Sequence, residues 1–192
     1  MMPKSATQTF LNGRLQEATR QTALLVGGSL VVALFARITL PLPFTPVPLT
    51  MQNFGVLLVG LLLGSRRGFA AVALYLAEGV SGIPVFSPAG PGGLAQLFGV
   101  TGGFLLAYPF VAALAGWIWE RSRQTFAGAA FAGLAAEVLL FAGGLSWLAI
   151  YTHSFAQAVR FGLYWFVFAE IIKIMLAAAI AGGWQRVHKA QP

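Results

Sequence analysis

The last hydrophobic segment, Tyr164 to Trp184, carries Glu170 and Lys173 inside an otherwise apolar run, and no other feature constrains the chain as much. Its 21 residues are long enough, at about 1.5 Å rise per residue, to cross a hydrocarbon core of about 30 Å. Glu170 and Lys173 lie three positions apart, on one helix face and within reach of each other. An ionisable group at membrane depth is unfavourable by about 2.5–3.5 kcal/mol even on lenient insertion scales, so it faces a partner or a cavity and not lipid. Two readings follow. The pair is either an internal lock between helices or a polar hook at the bottom of a substrate pocket.

Composition extends the membrane reading to the whole chain. Hydrophobic residues make up 58% and charged residues 9% of 192, with a mean hydropathy of +0.78; ordinary soluble domains carry about 25% charge. The chain has no cysteine, which excludes disulfides, thiolate metal sites and a cysteine nucleophile. It has two histidines and no aspartate, which leaves few builders for a metal centre or a carboxylate dyad. Residues 1–21 are polar and carry no signal-peptide pattern. They read as a cytoplasmic tail or surface helix, followed by a membrane domain over 22–185 and a second cytoplasmic tail over 186–192.

Six apolar segments are expected. The first, Thr22 to Ile38, contains small residues at helical spacing, including Ser29 and Ala33. Prolines 41, 43, 46 and 48 then stiffen an uncharged connection, read as a lid or pocket wall. Segments 51–64 and 68–83 are short for full spans, which points to a cavity at membrane depth. Gly79 to Gly103, rich in glycine and proline and free of charge, reads as a second closing loop. Spans at 101–119, 126–147 and 164–184 complete the set, and His153 falls in the wet connection between the last two.

The positions of the basic residues orient this bundle. Lys4, Arg14, Arg20, Arg66, Arg67, Arg121, Arg123, Arg186 and Lys189, nine of twelve, fall on one side if the N-terminus is cytoplasmic. That distribution explains the net charge of +7 without nucleic acid. The expected fold is therefore all-α and integral to the membrane: a six-transmembrane-helix bundle with N- and C-termini cytoplasmic. Trp117, Trp119 and Trp184 are expected at the inner interface, Trp147 and Trp165 at the outer one.

Depth counting brings Glu137, about ten residues before Trp147, level with Lys173, about 15 Å below the outer interface. Gln52 and Glu78 fall in the same half. Convergent polar groups in an apolar, aromatic-rich cavity describe a small-molecule site. Glu137 is read as a structural partner, Lys173 and Glu170 as ligand contacts. Nothing suggests catalysis: there is no nucleotide-binding loop, Gly-x-Ser-x-Gly or His-Glu-x-x-His.

The runs Pro43-Phe-Thr-Pro-Val-Pro-Leu-Thr-Met-Gln52, Gly55 to Gly64, Leu74-Tyr-Leu76, Gly82-Ile-Pro-Val-Phe86 and Thr101-Gly-Gly-Phe104 resemble the biotin-specific substrate-binding (S) component of energy-coupling-factor (ECF) transporters, the BioY family. The likeness covers roughly residues 20–185. It implies a multi-pass protein of a bacterial or archaeal cell membrane that binds biotin from outside. It also implies as partners an ECF transmembrane coupling subunit and two ATPase subunits. No cofactor is implied; biotin is cargo. The family's final helix carries Asp and, three residues on, Lys after Pro-Gly, where this chain reads Phe168-Ala169-Glu170-Ile-Ile-Lys173. The resemblance implies ligand contact at Lys173, Glu170 and Gln52. For biotin as ligand, the aromatic residues Phe44 and Phe86 are expected to cover the fused rings and thioether. It implies docking of the coupling subunit on Ser29-x-x-x-Ala33. The loop Ser87 to Gln96 lacks the Asn and Arg of some relatives. An S component for another vitamin, and a membrane-embedded enzyme or structural subunit using a Glu137–Lys173 pair, remain as alternatives.

Overall fold

The computed structural model describes residues 4–189; residues 1–3 and 190–192, the extremities of the two expected tails, lie outside the described residues. In chain order the elements are α1 (Lys4–Ala36), β1 (Thr39–Leu40), β2 (Leu49–Thr50), α2 (Gln52–Leu63), α3 (Ser65–Val80), α4 (Gly93–Phe98), α5 (Gly102–Arg121), α6 (Phe126–Thr152), α7 (Phe155–Gly162) and α8 (Val167–Lys189). The chain is thus mostly helical. Among the described residues, four helices are long and apolar enough to cross a membrane: 12–36 within α1, 102–121, 126–152 and 167–187. Helices α2 and α3, of 12 and 16 residues, reach only about 18 and 24 Å. Val138, Ile150 and Phe168 stand 71, 72 and 79% exposed, as lipid-facing side chains do.

Local chemistry explains the boundaries. No proline lies between Lys4 and Ala36, so α1 runs unbroken through the boundary expected after residue 21. The prolines from 41 to 48 end it. The chain there folds back as a two-residue antiparallel ladder, Thr39 opposite Thr50 and Leu40 opposite Leu49. This ladder is the departure from the all-α expectation. Gly64, at φ 81°, turns α2 into α3 in a conformation open to glycine. Thr125 caps α6 by accepting from the Gly128 N–H, and Ser154 caps α7 by accepting from Gln157.

Two connections expected to lack structure contain helices. Glycine-rich 79–103 holds α4, and 148–163 holds α7, whose cap Ser154 directly follows His153 at φ 55°. α8 starts at Val167 and not at Tyr164, so Lys173 lies only about 9 Å along it. Trp119 is buried at 3% exposure, whereas Trp117 and Trp184 are about half exposed; Trp119 therefore belongs to the core and not to an interfacial belt.

The bundle has two unlike ends. At one end, the proline-rich and glycine-rich segments, α4 and α7 crowd over a cleft; at the other, tight turns join α2 to α3 and α5 to α6. Between them α2, α3 and α5 meet almost backbone to backbone. A Cβ on Gly60 would lie 2.4 Å from the Ala112 carbonyl oxygen, and one on Gly116 would lie 2.5 Å from the Ser65 nitrogen. Small residues permit this approach, and dispersion across it replaces the hydrophobic drive that lipid does not supply. Gly60→Leu and Gly116→Leu should each destabilise the detergent-purified protein by about 2 kcal/mol or more, read as a lowered thermal unfolding midpoint. An unchanged midpoint would mean that the seam is not what holds this end.

Candidate functional site

The ion pair anticipated from sequence is present: Lys173 Nζ lies 2.6 Å from Glu170 Oε1, and both side chains are buried. One turn of α8 creates it, since the residues are three apart on one face. Glu170 falls in the first turn, where the positive end of the helix dipole favours a carboxylate. A buried ion pair needs further hydrogen bonds to offset its desolvation. Asn53 of α2 supplies them. Its Nδ2 donates to Glu170 Oε2 at 2.8 Å and to Glu137 Oε2 of α6 at 2.9 Å.

One amide therefore ties α2, α6 and α8 together at a point where none of the charged groups is more than 6% exposed. The arrangement corrects one expectation: Glu137 does not pair with Lys173 directly. It reaches the ion pair through Asn53, because the lysine is taken by the carboxylate on its own helix. Asn53 Oδ1 and Glu137 Oε1 are buried and accept no hydrogen bond among the described residues. Asn53 also lines the adjoining cleft, so its free oxygen is an acceptor available there.

That cleft and its open mouth together take in about 580 Å³ of space free of protein atoms. Its polar floor is Gln52, Asn53, Glu170 and Lys173; Phe104, Tyr108, Phe141 and Phe166 give aromatic walls; Val47, Pro48, Ser87 and Gln96 form the roof. Gln52 is held in place by donating to the Tyr75 hydroxyl at 2.8 Å, which in turn donates to the Val85 carbonyl at 3.3 Å. The set can donate from an ammonium, accept through a carboxylate and an amide oxygen, and sandwich an apolar ring system. It contains no nucleophile with a base beside it, and no group of three metal-ligating side chains exists among the described residues.

Other expected site residues lie elsewhere. Phe86 is buried at 3% exposure, edge-on to Tyr75 at 5.4 Å, and stands behind the cleft wall. Phe44 is 45% exposed and packs on Trp165 at 4.2 Å. Neither lines the cleft; the four aromatic residues named above do. Ser29 is fully buried and donates to Glu78, and Ala33 packs in the core. Both therefore face the chain's own helices, while Ala23 and Gly27, also a small pair four apart, are on the exposed side of α1. Asn53 was missed. The signal was a second uncharged polar residue beside Gln52 opening an apolar helix, where an amide must find partners.

Comparison with known proteins agrees with this architecture. A family model described as the BioY family matches residues 3–190. The biotin transporter BioY2 of Lactococcus lactis subsp. cremoris is 36% identical over 154 residues, covering 80% of this chain and 83% of that one. The biotin transporter BioY of Thermotoga maritima is 35% identical over 160 residues, covering 83% and 88%. Among solved structures, the crystal structure of the S-component for biotin from an ECF-type ABC transporter superposes with a TM-score of 0.79. It shares 23% identity and is covered to 93%, against 89% of this chain.

Because Asn53 bridges two carboxylates, Asn53→Leu should lower stability by about 2 kcal/mol. The same substitution should lose much less in a Glu137→Leu background, where one of the acceptors is gone. Additive effects in this double-mutant cycle would show that the bridge carries no coupling.

Proposed function

The chain belongs to the BioY family, and we propose that it is the membrane component that captures biotin from outside for uptake, using the cleft floored by Lys173, Glu170, Asn53 and Gln52. It is a multi-pass membrane protein and a transport component, not an enzyme, in line with relatives named as transporters. The observation that carries the ligand reading is the donor and acceptor set of the cleft floor. A ureido group offers two N–H donors and one carbonyl acceptor. Lys173 donates to the carbonyl, while Glu170 and the free Asn53 Oδ1 accept from the N–H groups; charge-assisted bonds of this kind are the stronger class. Phe104, Tyr108, Phe141 and Phe166 cover the fused rings and thioether. No resident cofactor is required.

The finer topology belongs to the same reading. Helices α2 and α3, although short, join the four long helices to make six spans with both termini cytoplasmic. Concentration of Arg66, Arg67, Arg121 and Arg123 at the turn end of the bundle supports this orientation. The cleft then opens outward in a bacterial or archaeal cell membrane. The sequence carries no nucleotide-binding loop, so energy for uptake comes from partners: an ECF coupling subunit and two ATPase subunits. The exposed face of α1, with Ala23 and Gly27, is a better docking surface than the buried Ser29 and Ala33.

A titration of the detergent-purified protein with biotin should saturate at one site per chain, with Lys173→Ala weakening binding about 100-fold or more while the protein stays monodisperse. Tight binding retained in the variant would remove Lys173 from the site. Absence of binding in the folded wild type, with another vitamin bound instead, would reassign the substrate.

A further inference from the structure

Away from the cleft, at the turn end, the start of α3 and the end of α5 enclose a second pocket of about 990 Å³ including open space. Leu63, Ser65, Arg66, Arg67, Trp117, Glu120 and Arg121 line it. Three guanidiniums converge on a space that the biotin reading does not use. We propose that this pocket holds the phosphate of an anionic membrane phospholipid, with the acyl chains lying down the α3–α5 face.

Several features fix the cations in place. The glycine seam presses Gly116 against Ser65, so the two helix ends cannot drift apart. Glu120, the one acid in the pocket, is committed to the Ser65 N–H at 3.0 Å and reduces three positive charges to a net two. The Arg121 guanidinium lies 4.3 Å from the centre of the Trp117 ring, an arrangement that holds the side chain without neutralising it. Arg67 donates through Nε to Gln21 at 2.8 Å, which leaves its terminal N–H groups free to meet an anion. Arginine suits phosphate because its fork of donors matches two oxygens at once.

The surface next to the pocket decides between a lipid and a soluble anion. Phe69 is one turn along α3 from Arg66, and Phe110 is two turns along α5 from Trp117. The two phenylalanines meet edge to face at 5.4 Å, and Leu62, Phe69, Phe110 and Trp117 are between 37 and 57% exposed. Basic groups at a helix end above an exposed aromatic strip match a phospholipid's two halves, head above and chains below. A free phosphate gains nothing from the strip. An acidic protein surface would leave it uncovered.

The test uses the full chain in mixed micelles holding equal amounts of phosphatidylglycerol and phosphatidylcholine, read by native mass spectrometry. The wild type should retain phosphatidylglycerol in preference. The triple variant Arg66→Gln, Arg67→Gln, Arg121→Gln should lose that preference by about tenfold or more, with its thermal midpoint and biotin titration near those of the wild type. If the triple variant does not fold, Arg66→Gln and Arg121→Gln singly should each reduce the preference. Trp117→Ala should reduce retention of either lipid. Equal retention of the two lipids by the wild type, or an undiminished preference in the arginine variants, would overturn the proposal. So would displacement by millimolar inorganic phosphate, which marks a soluble-anion site. Loss of partner-subunit binding with lipid preference intact would assign the arginines to a protein interface instead.

Discussion

A charge cannot sit alone in an apolar interior, and the rest of this structure depends on how that constraint is met. Lys173 is neutralised within its own helix by Glu170, but a single carboxylate leaves lone pairs unmet. The Asn53 amide meets one and reaches across to Glu137. The positions of α2, α6 and α8 are therefore linked, since displacing any one of them strands a buried polar group at a penalty of about 1–3 kcal/mol. The floor of the cleft is rigid for the same reason that it is polar. Its remaining capacity, which includes the Asn53 Oδ1, is what a ligand can claim.

Much of this could be read in the sequence, and the limits have physical causes. Glu170 and Lys173 were legible because helical spacing alone brings them together. The four proline positions and the glycine-rich run announced the roof, because those residues cannot continue a helix. Asn53 was overlooked because an uncharged amide raises no alarm in a hydropathy profile, although burial makes it as demanding as an ion. Phe44 and Phe86 have the aromatic character that ring contact needs, but Phe86 is drawn behind the wall by Tyr75 and Gly79 and Phe44 is drawn outward by Trp165. The aromatic residues that line the cleft lie on α5, α6 and the lead into α8, where sequence does not reveal which face turns inward. Ser29 was misjudged similarly: a small residue fits a docking face and a buried contact equally well, and only its bond to Glu78 decides.

The two ends of the bundle are held by different kinds of force, and this difference bears on how the cleft opens. At the turn end the glycine seam packs backbone on backbone, with many dispersion contacts and no single bond that could release it. At the cleft end the roof is tied down by isolated hydrogen bonds. Thr39 Oγ1 and Ser87 Oγ, 2.9 Å apart, join the two loops, Thr45 Oγ1 donates to the Phe161 carbonyl at 2.8 Å, and Trp147 Nε1 donates to the Gly99 carbonyl at 2.9 Å. Each contributes about 1 kcal/mol net, whereas separating the seam would expose a continuous packed surface.

Closure by a ligand then requires contacts that exist only when the roof is down. The lining meets that requirement. Val47 and Pro48 come from the first loop and Ser87 and Gln96 from the second, while Asn53, Glu170 and Lys173 belong to the fixed floor. A molecule held by its polar end on the floor places its apolar body against both loops. Its binding energy is in part spent on keeping them shut. Gln96 strengthens the coupling: its Oε1 accepts from the Gly92 N–H at 3.1 Å and shapes the turn that starts α4, so its position is set by the loop's own fold. A floor that recognises and a roof that registers recognition are together sufficient to make the closed state depend on the ligand.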